Sequence, residues 1–173
     1  MNSYLLDVYF KDQKFDATGN GLVGAIKEDL SVKRITEVSF VESYFINLDI
    51  SEAKMKELAE NIFIDPILQD FSITKPYEKK DDGEANFSPG FLQQQKGCWL
   101  IEVHYLQGVT DNVAITSAEA IQDYEKRKLK QGEKIEWFRK YLLKGKISEE
   151  EIKKICSGML ANSMIEKFSY KKF

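Results

Sequence analysis

The chain has 173 residues, 43% of them hydrophobic, and a formal charge of −3. That balance fits a soluble globular fold and excludes a polybasic nucleic-acid footprint and gross disorder. No apolar run approaches the roughly 20 residues needed to span a bilayer, and Met1 to Asp12 lacks the basic start and apolar core of a secretory signal, so a cytoplasmic chain with no membrane contact is expected.

The first element is a strand, in which Leu6, Val8 and Phe10 alternate with Leu5, Asp7 and Tyr9 as one buried face requires. Asp16 follows where a loop turns into a helix, and its short carboxylate suits an N-cap. The helix is predicted over Ala17 to Leu30. A long strand comes next, Arg34 to Asp49, with Val38, Phe40, Tyr44, Ile46 and Leu48 on one face and room for a bend or a split. Ser51 then caps a second helix carrying Met55, Leu58 and Ile62, and a strand from Ile67 to Ile73 ends the unit.

After residues 76–97, whose Lys79, Lys80, Asp81, Asp82, Gly83, Ser88, Pro89 and Gly90 read as an exposed linker with Phe87, Phe91 and Leu92 as anchors, the same order returns. Leu-Leu-Asp-Val-Tyr-Phe at 5–10 becomes Leu-Ile-Glu-Val-His-Tyr at 100–105, an offset of 95 that holds through Asp16/Asp111 and Ala25-Ile26/Ala120-Ile121. A net two-residue insertion raises the offset to 97, pairing Tyr44 with Tyr141, Ile50-Ser51-Glu52 with Ile147-Ser148-Glu149, and Phe71-Ser72 with Phe168-Ser169. In this second unit Ile101, Val103 and Tyr105 repeat the buried set, and Asp111 caps a helix from Asn112 to Lys130. A shorter strand, Ile135 to Leu143, presents Ile135, Trp137, Tyr141 and Leu143. Ser148 caps a helix with Ile152, Ile155 and Met159, helped by Glu149 to Glu151, and the last strand runs from Met164 to Tyr170.

Two β-α-β-α-β units, 1–75 and 98–173, predict an α+β two-layer sandwich. Units of about 75 residues are marginal alone, so they are expected to share a core or an interface. Homologous strands would extend one antiparallel sheet, making a pseudo-dimer in a single chain. The first unit carries 8 basic and 13 acidic residues and the second 14 and 11, a charge asymmetry suited to docking and equally to solvated helix faces.

Comparison of the units filters the candidate chemistry. Gly19-x-Gly21-x-x-Gly24 has dinucleotide-fingerprint spacing, but Asp12 to Thr18 separates it from the strand and the second unit has Ala114, Thr116 and Glu119 instead. Close packing of the helix on the sheet explains the glycines better. His104 aligns with Tyr9 and has no Ser or Cys spaced for a relay, which reads as a surface or interface histidine. Cys98 and Cys156 occupy non-equivalent positions and read as free thiols in a reducing compartment. The Glu149-Glu150-Glu151 run suits the helix dipole better than a metal, and the Lys126-Arg127-Lys128-Lys130 cluster reads as a solvated helix end before an acidic-partner site. No catalytic, cofactor or metal residue is assigned.

Phe15-Asp16-Ala17-Thr18-Gly19 with its helix, the long strand, the capped helix, Gly108-Val109-Thr110-Asp111-Asn112 and, most specifically, Leu160-Ala161-Asn162-Ser163-Met164-Ile165-Glu166 resemble the PurS family. PurS is the small accessory subunit of phosphoribosylformylglycinamidine synthase, and a tandem pair is similar to the amino-terminal region of the large fused synthase. The chain departs from the many relatives with Gly-Lys in the second strand, having Glu42-Ser43 before Tyr44 and Arg139-Lys140 before Tyr141. The resemblance implies a non-catalytic scaffold in purine biosynthesis that holds the synthetase and glutaminase parts of this ATP-using ligase together for ammonia transfer, with no cofactor of its own and self-association left open. A different class, a tandem small-molecule-binding regulatory module, would instead place converging polar groups in an otherwise apolar interface.

Overall fold

The computed structural model describes residues 1–76 and 97–173, so the linker reading and its Phe87, Phe91 and Leu92 anchors lie outside the described residues. Six strands, β1 (Asn2–Phe10), β2 (Ile35–Leu48), β3 (Gln69–Thr74), β4 (Trp99–Tyr105), β5 (Lys134–Gly145) and β6 (Glu166–Lys172), form one antiparallel sheet in the order β3-β1-β2-β5-β4-β6. Four α-helices, α1 (Ala17–Asp29), α2 (Glu52–Leu58), α3 (Asn112–Glu125) and α4 (Glu149–Ile155), pack their buried residues against one face of it. The α+β two-layer class expected from the alternation of elements is the one observed.

The register repeats between the halves. Leu5 faces Phe45 in β1–β2, and their counterparts Leu100 and Leu142 face each other in β4–β5. Leu5 faces Thr74 in β1–β3, and Leu100 faces Lys171 in β4–β6. The halves meet where β2 pairs with β5, and there Glu42 faces Arg139, its own counterpart at the offset of 97. A pseudo-two-fold axis therefore passes through the Glu42–Arg139 pair.

The helices cross between halves. Ile26 of α1 and Val38 of β2 share a core with Ile101, Leu143, Ile152 and Ile155 from the second half. Ile121 of α3 in turn joins Leu6, Ile46, Leu48, Met55 and Leu58 of the first. Burying each such aliphatic side chain is worth about 1.5–3 kcal/mol. Neither half keeps its apolar surface to itself, which answers the marginal size of a 75-residue unit.

Asp16 and Asp111 cap α1 and α3 as expected, each Oδ1 accepting from the N–H of the residue three further on. Ser51 and Ser148 cap α2 and α4, and Glu151 completes a capping box with Ser148. Both short helices run on into π-helical turns, Ala59–Phe63 and Cys156–Leu160.

Several expectations are corrected. The third helix ends at Glu125, with Lys126 left-handed at φ 52, and does not reach Lys130. β5 is longer than predicted, at 12 residues, and β2 is one continuous strand with an irregularity between Ile35 and Glu37 in place of a bend or split. At that end Gly145 has φ 139, and a Cβ there would lie 2.2 Å from Arg34 O, so only glycine lets the strand ends cross. β1 is not buried on one face alone, because Leu5 and Asp7, which point away from the helices, are buried too.

Candidate functional site

The polar chemistry of the described residues concentrates where the halves join. On the face away from the helices, Asp7 (2% exposed), Ser43 (0%), Glu102 (5%) and Lys140 (1%) form a cluster. Strand pairing places them: Asp7 faces Ser43 across β1–β2, and their counterparts Glu102 and Lys140 face each other across β4–β5. Lys140 Nζ reaches over β2 to Asp7, donating to Oδ1 at 2.7 Å and Oδ2 at 3.0 Å, and lies 3.9 Å from Glu102. Ser43 Oγ donates to the same Asp7 Oδ1 at 2.6 Å. His104 stacks on Phe138, ring centroids 4.2 Å apart, with Nε2 3.4 Å from Glu102 Oε2. The histidine read as a surface or interface residue is a partly exposed neighbour of a buried ion cluster.

On the helix side the axis carries a second, unequal pair. Arg139 pairs with Glu166 at the start of β6, while the matching positions in the first half are Glu42 and Gln69. Glu42 thus lacks the cation–anion arrangement its counterpart has, and burial pushes its carboxyl above the usual range. Burial, then the charges of Glu42 and Asp111, raise the Tyr44 hydroxyl as well. Asp16 and Asp111 frame this region symmetrically. The Oδ2 of each accepts a strand N–H, from Phe40 at 2.6 Å and from Trp137 at 2.9 Å, just beyond the last residues paired with β1 and β4. Each aspartate therefore satisfies a helix start and a strand amide that its neighbour strand no longer reaches.

The most specific sequence element has a definite job. Asn162 Oδ1 accepts from Met164 N–H at 3.1 Å, and Glu166 Oε2 accepts from Asn162 N–H at 2.8 Å while Oε1 holds Arg139. The first half makes the same turn with Asp65 and Gln69: Ile67 N–H donates to Asp65 Oδ1 at 2.8 Å and Asp65 N–H to Gln69 Oε1 at 2.8 Å. Both turns leave an apolar tip in solvent, Ile67 at 80% and Met164 at 85% exposure.

The remaining sequence candidates separate clearly. A Cβ on Gly19 would meet Val38 O at 2.1 Å, so its closeness to the sheet is real, but Gly21 and Gly24 have nothing within 4 Å and the packing explanation fails for them. Two members of the basic cluster are spent inside the molecule: Arg127 holds Glu133, and Lys130 holds Asp49. Burial pushes the Cys156 thiol up to about 12 and raises Cys98, which disfavours the reactive thiolate at both buried cysteines. Among the described residues no group of three or more His, Cys, Asp and Glu side chains is placed to hold a metal. No helix among them is long and apolar enough to cross a membrane.

Sequence reasoning missed the Asp7–Ser43–Glu102–Lys140 cluster. The signal was present, since an acid recurs at 7 and 102 on the strand face assigned to solvent. The arrangement binds the halves chemically: one ammonium serves two carboxylates, and a hydroxyl satisfies one of them further. Its one hydroxyl, Ser43, donates to the Asp7 carboxylate, but both side chains are buried, at 0% and 2% exposure, and no substrate reaches them in this arrangement. In comparison with known proteins, the chain matches no family model and no curated protein.

Proposed function

We infer that the chain is an assembly module, a PurS-like pseudo-dimer that serves phosphoribosylformylglycinamidine synthase by holding its synthetase and glutaminase parts together for ammonia transfer. The observation that carries this reading is the turn Asn162–Glu166, the most specific element of the resemblance, whose two side-chain bonds to backbone N–H groups recur at Asp65–Gln69. Two further features support it. The buried polar groups at the β2–β5 junction bond to one another and so act in joining the halves. Ile67 and Met164 stand at equivalent positions as exposed apolar tips, available to two partners or to two faces of one.

Reconstitution tests it. Synthetase and glutaminase components are assayed with and without this chain, using glutamine or ammonia as nitrogen source. The chain should co-purify with both and raise the glutamine-dependent rate while leaving the ammonia-dependent rate unchanged. An unchanged glutamine-dependent rate defeats the assignment.

The second reading, a regulatory module with a ligand at the interface, draws on the polar convergence of Asp7, Ser43, Glu102 and Lys140. Against it, those groups are already bonded together, and the surface depression of about 360 Å³ lined by Glu52, Ala53, Lys56, Phe71 and Ile73 lies at the outer edge of the sheet. A thermal shift by a purine nucleotide or amino acid would favour the regulatory module; a shift only with protein components favours the scaffold.

A further inference from the structure

The duplication supplies an internal control for the two edges of the sheet. β3 and β6 are counterparts, and among the described residues each forms an outer edge. An unpaired edge is a template for another strand unless something blunts it, and lysines are a common means. β6 is blunted. It carries Lys167, Lys171 and Lys172, and the Tyr170 hydroxyl donates to Glu149 Oε1 at 2.9 Å, closing the strand onto α4.

Among the described residues β3 shows neither device. Its sequence, Gln69 to Thr74, holds one charged residue, Asp70. Ile73 stands where Tyr170 does and offers no hydroxyl to Glu52, the counterpart of Glu149. The result is the open depression of about 360 Å³ between α2 and the edge, floored by Phe71 and Ile73. Phe71 N–H turns away from β1 and is taken by its neighbour Asp70 Oδ1 at 2.8 Å, which places the outward peptide groups at Phe71 and, by alternation, at Ile73. On the opposite face Ser72 Oγ is buried and has no hydrogen-bond partner.

We propose that β3 is a self-complementary docking edge for a second copy of this chain, paired antiparallel about a two-fold axis at Ser72. In that register Phe71 faces Ile73 of the second copy in a hydrogen-bonded pair, so the outward N–H and C=O groups of both strands are satisfied. Ser72 faces Ser72 of the second copy in a close, non-hydrogen-bonded pair, where two small side chains permit the approach of the strands. Asp70 meets Thr74 and Gln69 meets Lys75, so no like charges oppose. The apolar side chains of Phe71 and Ile73 from both copies cover the paired depressions. The same operation on β6 would set Lys167 against Lys171, and like charges directly opposed are destabilising. The difference between these two equivalent edges is therefore a choice of which edge pairs. The interface is a single strand pair with its flanking side chains, which implies association at the weak end of specific complexes. It is independent of the synthase assignment.

Sedimentation equilibrium of the full chain at low to high micromolar concentration tests the edge. The wild-type chain should show a concentration-dependent dimer. Ser72→Lys, which opposes two cations at the axis, should weaken it by about tenfold or more, whereas Ser169→Lys, the matching change on β6, should leave it unchanged; circular dichroism checks that both variants are folded. Ser72→Cys supplies a second readout, because a close cross-strand pair has the Cα separation a disulfide needs. Mild oxidation should give a covalent dimer of Ser72→Cys and none of Ser169→Cys, and Cys98 and Cys156 are buried and silent. A monomer at every concentration, a dimer indifferent to Ser72→Lys, or cross-linking through position 169 in place of 72 would each overturn the proposal.

Discussion

Lys140 and Asp7, 133 positions apart in the chain, form a buried two-pronged ion pair, the Nζ of one donating to both carboxylate oxygens of the other at 2.7 and 3.0 Å. The pair spans the junction of the halves and also collects Ser43 and Glu102. Charges this deep cost much to desolvate, and their mutual attraction offsets that cost only while every member is present.

Lys140→Met should therefore be severe. It leaves the carboxylates of Asp7 and Glu102 buried without their cation, a loss of about 3–5 kcal/mol in stability. Asp7→Leu should also destabilise, since the ammonium then keeps only the looser Glu102 contact and the Phe138 ring, 5.4 Å away. The double variant should recover a large part of the loss, because apolar groups replacing both partners of a buried pair are often close to neutral. Urea unfolding of the four proteins gives the coupling energy directly. If the double variant costs the sum of the two singles, the pair does not act as a unit.

The three glycines near the start of α1 should respond in opposite directions. Gly19→Ala drives a Cβ into Val38 O, 2.1 Å away, and against Asp16 Oδ2 at 2.5 Å, so α1 must lift from the sheet and a loss of about 2–4 kcal/mol is expected. Gly21→Ala and Gly24→Ala meet nothing within 4 Å inside a helix, and each should gain about 0.5–1 kcal/mol. Thermal melts of the three single variants make the comparison. Stability losses of similar size at all three positions would refute the division between a packed Gly19 and an open Gly21 and Gly24.

What the sequence revealed follows from which interactions are local. Asp16, Ser51, Asp111 and Ser148 were readable as caps because a cap needs only its own next three residues. The faces of β2 and β5 were readable because alternation is local too. The end of α3 was missed because Lys126, Lys128 and Lys130 favour helix, while Glu133 draws Arg127 and Lys130 N–H into a tight loop that only the fold assembles. Burial of Asp7 was missed for a related reason. An acid in an alternating strand reads as solvent-facing until its cation, supplied from 133 residues away, is seen. Glu166 was recognised within a motif, but its contact with Arg139 on β5 requires the tertiary pairing.

Two glutamates should titrate stability with opposite signs. The guanidinium of Arg127, aided by the N–H groups of Lys130 and Asp49, lowers the Glu133 carboxyl from its ordinary 4.5 to about 2. A pKa lower in the folded than in the unfolded chain means stability that is fully present above pH 4.5 and is lost as pH falls toward about 2. Glu133→Gln should then cost about 2–3 kcal/mol at pH 7, with the gap from wild type closing as the acid range is entered. Glu42 is the reverse case, because burial raises its carboxyl and its register partner Arg139 is already engaged by Glu166. A raised carboxyl favours the folded state while protonated and weakens it once ionised, so the penalty appears as pH rises through the folded pKa. Glu42→Gln should accordingly raise the melting temperature at pH 7, by an amount matching about 0.5–1 kcal/mol, and make no difference at acid pH where wild-type Glu42 carries its proton. Melting curves of both variants from pH 3 to pH 8 separate the two effects. A Glu42→Gln protein less stable than wild type at pH 7 would show that attraction to Arg139 outweighs the cost of burial at the pseudo-two-fold axis.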